Sequence, residues 1–171
     1  PAITLNKLGQ GEVALLNWQA NHPASPAVDD TVIRLLQRFG ATTTNLVQLR
    51  TTQTAAKYRI ETQMQALDWL AALGFKAKAI DETKLDTVPA GGTLFLCGQY
   101  YISDETAAWL KQFVTAGGHA LCVDGPVFAI GNADLPTQGI FDPTHPRNVT
   151  RRAATNTDDM FARRPETEHV V

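Results

Sequence analysis

Two cysteines are all that a chain of 171 residues carries. That is too few for a disulfide framework, and they form no Cys-x-x-Cys pair of the kind that opens a zinc site or a redox motif. The histidines, His22, His119, His145 and His169, share no spacing that suits a metal, so no metal site is expected. Excess charge of one sign is missing too: 15 Lys and Arg stand against 17 Asp and Glu. Beyond Arg151 with Arg152 and Arg163 with Arg164 there is no basic cluster, so the electrostatic footprint of a nucleic-acid binder is absent. No apolar run approaches the roughly 20 residues that span a bilayer. The opening "PAITLNKLGQG" lacks the charged start and apolar centre of a signal peptide. The expectation is a chain without membrane contact, with the cytoplasm favoured. Neither glycine pair, in "PAGG" or in "TAGG", is placed as a phosphate loop. The first precedes a strand and the second ends a helix, whereas phosphate cradles lie between a strand and a helix N-terminus. No nucleotide, flavin or other cofactor is expected.

What remains, 44% hydrophobic and 19% charged, is an ordinary core-forming composition. "EVALLNW" at 12–18 is a nearly continuous apolar run and reads as a first parallel strand, buried on both faces. After Pro26, Val32, Leu35, Leu36 and Phe39 recur at helical spacing and stop at Gly40. "ATTTNLVQLRTTQT" at 41–54 has no clean period and reads as a loop. Ile60, Met64, Leu67, Leu70 and Ala71 mark one face of a long helix ending at Gly74. "FKAKAI" at 75–80 alternates like an edge strand, and "TLFLC" at 93–97 is apolar enough for a central one. Ser103 suits a helix cap, followed by Asp104 and Glu105 at the positive end of the dipole. Ala107, Leu110, Phe113 and Val114 form that helix's inner stripe before Gly117 and Gly118, and "HALCV" at 119–123 supplies another buried strand. The sum is an α/β domain over residues 1–131: a flavodoxin-like, doubly wound, mostly parallel sheet with helices on both faces. An irregular C-terminal arm follows over 132–171, in which Ile140, Phe141, Met160 and Phe161 are the residues suited to pin it to a surface.

Three stretches together, "GEVALLNW", "ALDWLAALGFKAKAID" and "GGTLFLCGQYYISDETAAWLKQFVTAGGHAL", resemble the glutamine-amidotransferase-like domain known as the β-galactosidase trimerisation domain, which follows the catalytic barrel in family 42 glycoside hydrolases. The likeness runs over residues 11–125. It implies an accessory domain of a carbohydrate-active protein that serves oligomerisation or docks on a neighbouring glycosidase domain.

Class I amidotransferases place their nucleophile in a strand-to-helix elbow, Gly-x-Cys-x-Gly, whose strained turn exposes the sulfur. The matching stretch here is "ALCVDGP": Cys122 is followed by Val123 and Asp124, so Gly125 comes one position late, and Pro126 removes a backbone N–H. A downstream His-x-Glu dyad is missing as well. Cys122 therefore reads as a small hydrophobe of a central strand. Cys97, at a strand end before Gly98, reads as the more exposed of the two thiols, and no basic residue near it in sequence would lower its pKa. The two should lie on adjacent strands as reduced thiols. His119 should have a structural role. In doubly wound sheets ligands bind beyond the carboxyl ends of the strands, which here carry Asn17, Trp18, Gln19, Gln99, Tyr100, Tyr101 and Asp124. This aromatic and amide rim suits either a protein interface or a saccharide. Three readings follow: a noncatalytic accessory domain, a saccharide-binding module, and a cysteine-dependent amidohydrolase or amidotransferase relative. The degenerate elbow favours the first.

Overall fold

The computed structural model describes residues 2–17, 26–58, 66–98, 101–124 and 128–130. Eight strands and four helices follow in chain order among them: β1 (Ala2–Leu8), β2 (Gly11–Asn17), α1 (Pro26–Arg38), β3 (Leu46–Arg50), α2 (Thr52–Tyr58), α3 (Leu67–Ala72), β4 (Lys78–Asp81), β5 (Thr93–Cys97), β6 (Tyr101–Ser103), α4 (Asp104–Thr115), β7 (His119–Val123) and β8 (Phe128–Ile130). A 3-10 segment, Glu82–Thr87, links β4 to β5. Six strands form one sheet in the order β1-β2-β7-β5-β3-β4, and β6 pairs with β8 in a separate ribbon. Within the large sheet only the β1–β2 hairpin is antiparallel. The α/β architecture and mostly parallel sheet are those expected.

The winding is not the flavodoxin one. In flavodoxin-like sheets the first strand lies between the second and third. Here the first parallel strand, β2, lies between β7 and the antiparallel β1. β1 was not expected: "AITLNKL" alternates large apolar with polar residues and folds back on β2 through Gly9 and Gln10, Gly9 taking a φ of 62°. Such a left-handed first turn position favours glycine in a two-residue hairpin.

A second correction concerns residues 41–54. The expected loop contains β3, an interior strand between β5 and β4 whose first four residues are buried. Gln48, 1% exposed, breaks the apolar run that would have marked it, and the flanking threonines resemble a linker. The long helix expected before Gly74 is described only at its end, as α3; Ile60 and Met64 lie outside the described residues. β4 is an edge strand and β5 a central one, as the alternation and the apolar run indicate. Ser103 caps α4, its Oγ accepting from the Thr106 N–H at 3.2 Å.

Strand alternation sorts the core onto two faces. On one, Ala14, Leu16, Leu46, Phe95, Leu121 and Val123 meet Val28, Val32, Leu35 and Leu36 of α1 and Leu70 of α3. Trp69 joins those helices, donating from Nε1 to Asp29 at 2.8 Å and meeting Phe95 edge-on. On the other face, Val13, Val47, Leu49, Ile80, Leu94, Leu96 and Ala120 meet Ala107, Leu110 and Val114 of α4. Helices thus cover both faces, as right-handed crossovers running in opposite directions require.

Candidate functional site

Five parallel strands finish on one side of the molecule, at Asn17, Arg50, Asp81, Cys97 and Val123. From β3 the chain passes to α3 on one face, and from β5 to α4 on the other. Adjacent strands that send their connections to opposite faces define the crevice where doubly wound sheets take ligands. It lies here between the ends of β3 and β5.

Beside this crevice the described polar groups bond to one another. The Glu82 carboxylate accepts the N–H groups of Gln53 and Thr54, at 2.8 and 3.0 Å, in the first turn of α2. It occupies the position at which an anion would meet those amides. Thr54, buried, accepts from the Ser103 N–H at 3.2 Å, and the Ser103 and Thr106 hydroxyls lie 3.1 Å apart. Asp81 accepts the backbone N–H of Thr83 at 2.9 Å and the Thr83 hydroxyl. These bonds hold its carboxyl below the usual range. A continuous string of carboxylates and hydroxyls therefore fastens the starts of α2, α4 and the 3-10 segment. Of this set only Ser103 was legible as a capping residue. The reading of 41–54 as a loop hid Thr54, and Glu82 meets α2 across 28 residues of sequence.

Of the rim residues, Trp18, Gln19, Gln99 and Tyr100 lie outside the described residues. Asn17 ends β2, opposite Ala2, and Tyr101 opens β6, opposite Phe128. Asp124 is the described carboxylate of the rim. It follows β7 with a φ of 67°, and its N–H donates to the Leu16 carbonyl at 3.2 Å. Aspartate tolerates this left-handed conformation better than most residues.

The thiols are placed apart. Leu96 stands opposite Cys122 and Cys97 opposite Val123 in the β5–β7 ladder. This one-residue offset sends the two side chains to opposite faces of the sheet, which rules out a disulfide between them in this fold; both are free. Cys97 is not the exposed thiol expected: it is buried at 1% exposure, as is Cys122. Burial, with the Asp124 carboxylate adding to it, pushes the Cys97 thiol up to about 12. Burial also raises Cys122, whose surroundings are apolar side chains of the α4 face. A neutral, buried thiol is a poor nucleophile, because the thiolate is the reactive form.

His119 lies at the amino end of the sheet, far from these strand ends. Its Nδ1 accepts the Glu12 N–H at 3.2 Å and its ring stacks on Phe39 with centroids 4.9 Å apart. Burial lowers its pKa. Glu12 in turn holds Arg38 through two bonds of 2.7 and 2.9 Å. His22, His145 and His169 lie outside the described residues.

Along α4, Trp109 stacks on Phe113 at 5.0 Å. The pair lines an open groove of about 320 Å³ with Leu85, Val88 and Gln112. No group of His, Cys, Asp and Glu among the described residues is arranged to hold a metal ion, and no described helix is long and apolar enough to cross a membrane. Comparison of the chain with protein-family models, curated proteins and solved structures yields no match.

Proposed function

We propose that this chain is a noncatalytic α/β domain that works by association, the role filled by glutamine-amidotransferase-like accessory domains in carbohydrate-active proteins. The observation that carries the reading is the turn after β7. The left-handed position falls on Asp124, while Cys122, two residues earlier, is buried in the apolar core of the α4 face. An elbow nucleophile needs the reverse: the sulfur at the strained residue, facing solvent and donors. Cys97 offers no substitute, since its thiol is buried and its pKa raised. The amides of α2 that face the crevice are taken by Glu82. A domain in which the described polar groups at the strand ends bond to one another is suited to presenting surfaces rather than to turning over a substrate.

The test is incubation of the intact chain with glutamine, simple esters and aryl glycosides, alongside a thiol-reactive chromophore. Turnover should not exceed the blank, and neither thiol should react until denaturant is added. A reproducible activity that disappears in Cys97→Ala or Cys122→Ala would overturn the reading. A saccharide titration run in parallel asks whether the rim binds sugar without turning it over.

A further inference from the structure

The two edges of the large sheet are finished differently. β4 is four residues long, its first residue, Lys78, is exposed, and the 3-10 segment follows at once. Short length and lysine are common means of blocking an edge. β1 is not short, and its lysine, Lys7, lies beside the turn, away from the middle of the strand. It runs seven residues in unbroken register with β2 and carries Ile3 and Leu5, 46% and 47% exposed, the exposed large hydrophobics among the described residues.

The hairpin dictates which backbone groups face outward. A two-residue turn makes Leu8 and Gly11 a hydrogen-bonded pair. Alternation then joins Asn6, Thr4 and Ala2 to β2 by hydrogen bonds and turns the N–H and C=O of Ile3, Leu5 and Lys7 away from β2. The outward backbone groups and the exposed apolar side chains thus belong to the same residues.

We propose that β1 is the seam of a homodimer, in which two copies pair β1 with β1 antiparallel about a two-fold axis and join their six-stranded sheets into one. Outward groups must meet outward groups, so only odd residues can form the hydrogen-bonded pairs. Of the possible registers, the one that sets Leu5 against Leu5 of the partner subunit puts Ile3 against a lysine. The one that sets Leu5 against Lys7 of the partner subunit leaves Ile3 without an apolar neighbour. Pairing Ile3 with Leu5 of the partner subunit avoids both. It also extends the rows Leu16–Ile3 and Ala14–Leu5 across the axis as continuous apolar rows on the α1 side. A second copy fits this edge because the strand's pattern is complementary to itself under the two-fold operation, as an isologous contact requires. The proposal rests on the association reading above and names its partner and surface.

In this register Thr4 faces Thr4 of the partner subunit as a non-hydrogen-bonded pair, with Cα atoms about 4.5 Å apart, within disulfide range. Asn6 lies four residues from its own copy along the strand, about 13 Å away. The experiment combines sedimentation of the intact chain over a concentration series with oxidation of Thr4→Cys and Asn6→Cys variants. The expected results are a dimer, covalent dimer from Thr4→Cys but not from Asn6→Cys, and at least tenfold weaker association in Leu5→Lys with an unchanged circular dichroism spectrum. Because Thr4 is exposed and the native thiols are buried, the cross-link reports the seam even if Leu5→Lys fails to fold. A monomer at every concentration, or a dimer that Thr4→Cys does not trap, overturns the seam. Neither result touches the noncatalytic reading, which fails on turnover alone.

Discussion

At the amino end of the sheet a Cβ on Gly11 would stand 2.0 Å from the Gly118 carbonyl oxygen and 2.4 Å from that of Val114. At the carboxyl end the chain turns through left-handed Gly98 and Asp124, whose N–H groups donate to the Val123 and Leu16 carbonyls, and side chains fasten the helix starts beside them. The first end is closed by backbone against backbone: the β1–β2 turn lies on the last turn of α4, with the Gln10 N–H donating to the Thr115 carbonyl at 3.0 Å. The Glu12–Arg38 pair and the stacked His119 flank it. At the second end, among the described residues, Glu82, Thr54, Ser103 and Asp81 each satisfy a helix start or a strand end. Backbone contact tolerates almost no added volume, whereas side-chain capping tolerates substitution at the cost of single hydrogen bonds. The carboxyl end is therefore the more alterable of the two.

Leu96, 1% exposed and one residue from the carboxyl end of β5, sets the scale. Leu96→Ala should cost about 2–5 kcal/mol in a denaturant titration, and a loss near zero would contradict the packing on the α4 face. Gly11→Ala should cost about 3 kcal/mol, near the top of the range for overpacking, because the atoms it meets are backbone and cannot swing aside. If it were neutral, the amino end would not be the rigid one. Thr54→Val keeps the shape but leaves the Ser103 N–H without its acceptor, and should cost about 1–3 kcal/mol. Stability equal to wild type would mean that the carboxyl-end network is dispensable.

The smallest effect is expected from pH. His119 is held neutral in the fold, below its ordinary 6.5, so the unfolded chain takes up the proton first as pH falls. Stability should be undiminished by His119 above about pH 7 and should decline as pH drops through 6.5 toward the lowered folded value. The Glu12 contribution has a separate window: its carboxyl is lowered chiefly by the bond from Arg38, and that contribution is lost only as pH falls below the ordinary 4.5. Urea titrations between pH 8 and pH 5.5 on wild type and His119→Phe check this, and a slope that survives the substitution would place the titrating group elsewhere.

The best-punctuated part of the chain is the most legible in its sequence. Ser103, the stripe Ala107, Leu110 and Val114, and the glycine pair at 117–118 mark α4 by local rules, and the runs at 93–97 and 119–123 are apolar enough to be read as buried strands. β3 escaped because Gln48 interrupts its apolar run, and what buries that residue, the neighbouring strands β4 and β5, lies far away in sequence. Glu82 escaped for a similar reason, since it caps a helix 28 residues earlier in the chain.

Sequence alone determined where apolar runs, caps and breakers fall, and with them the α/β class, because these depend on neighbours within a turn or two. It also determined that the stretch around Cys122 does not follow the nucleophile-elbow spacing. Tertiary structure decided the strand order, the opposite facing of the two thiols, the placing of Glu82 on α2 and the edge position of β1. Each of these depends on which distant segments are brought side by side, and a one-residue change of register between β5 and β7 would have put Cys97 and Cys122 on the same face.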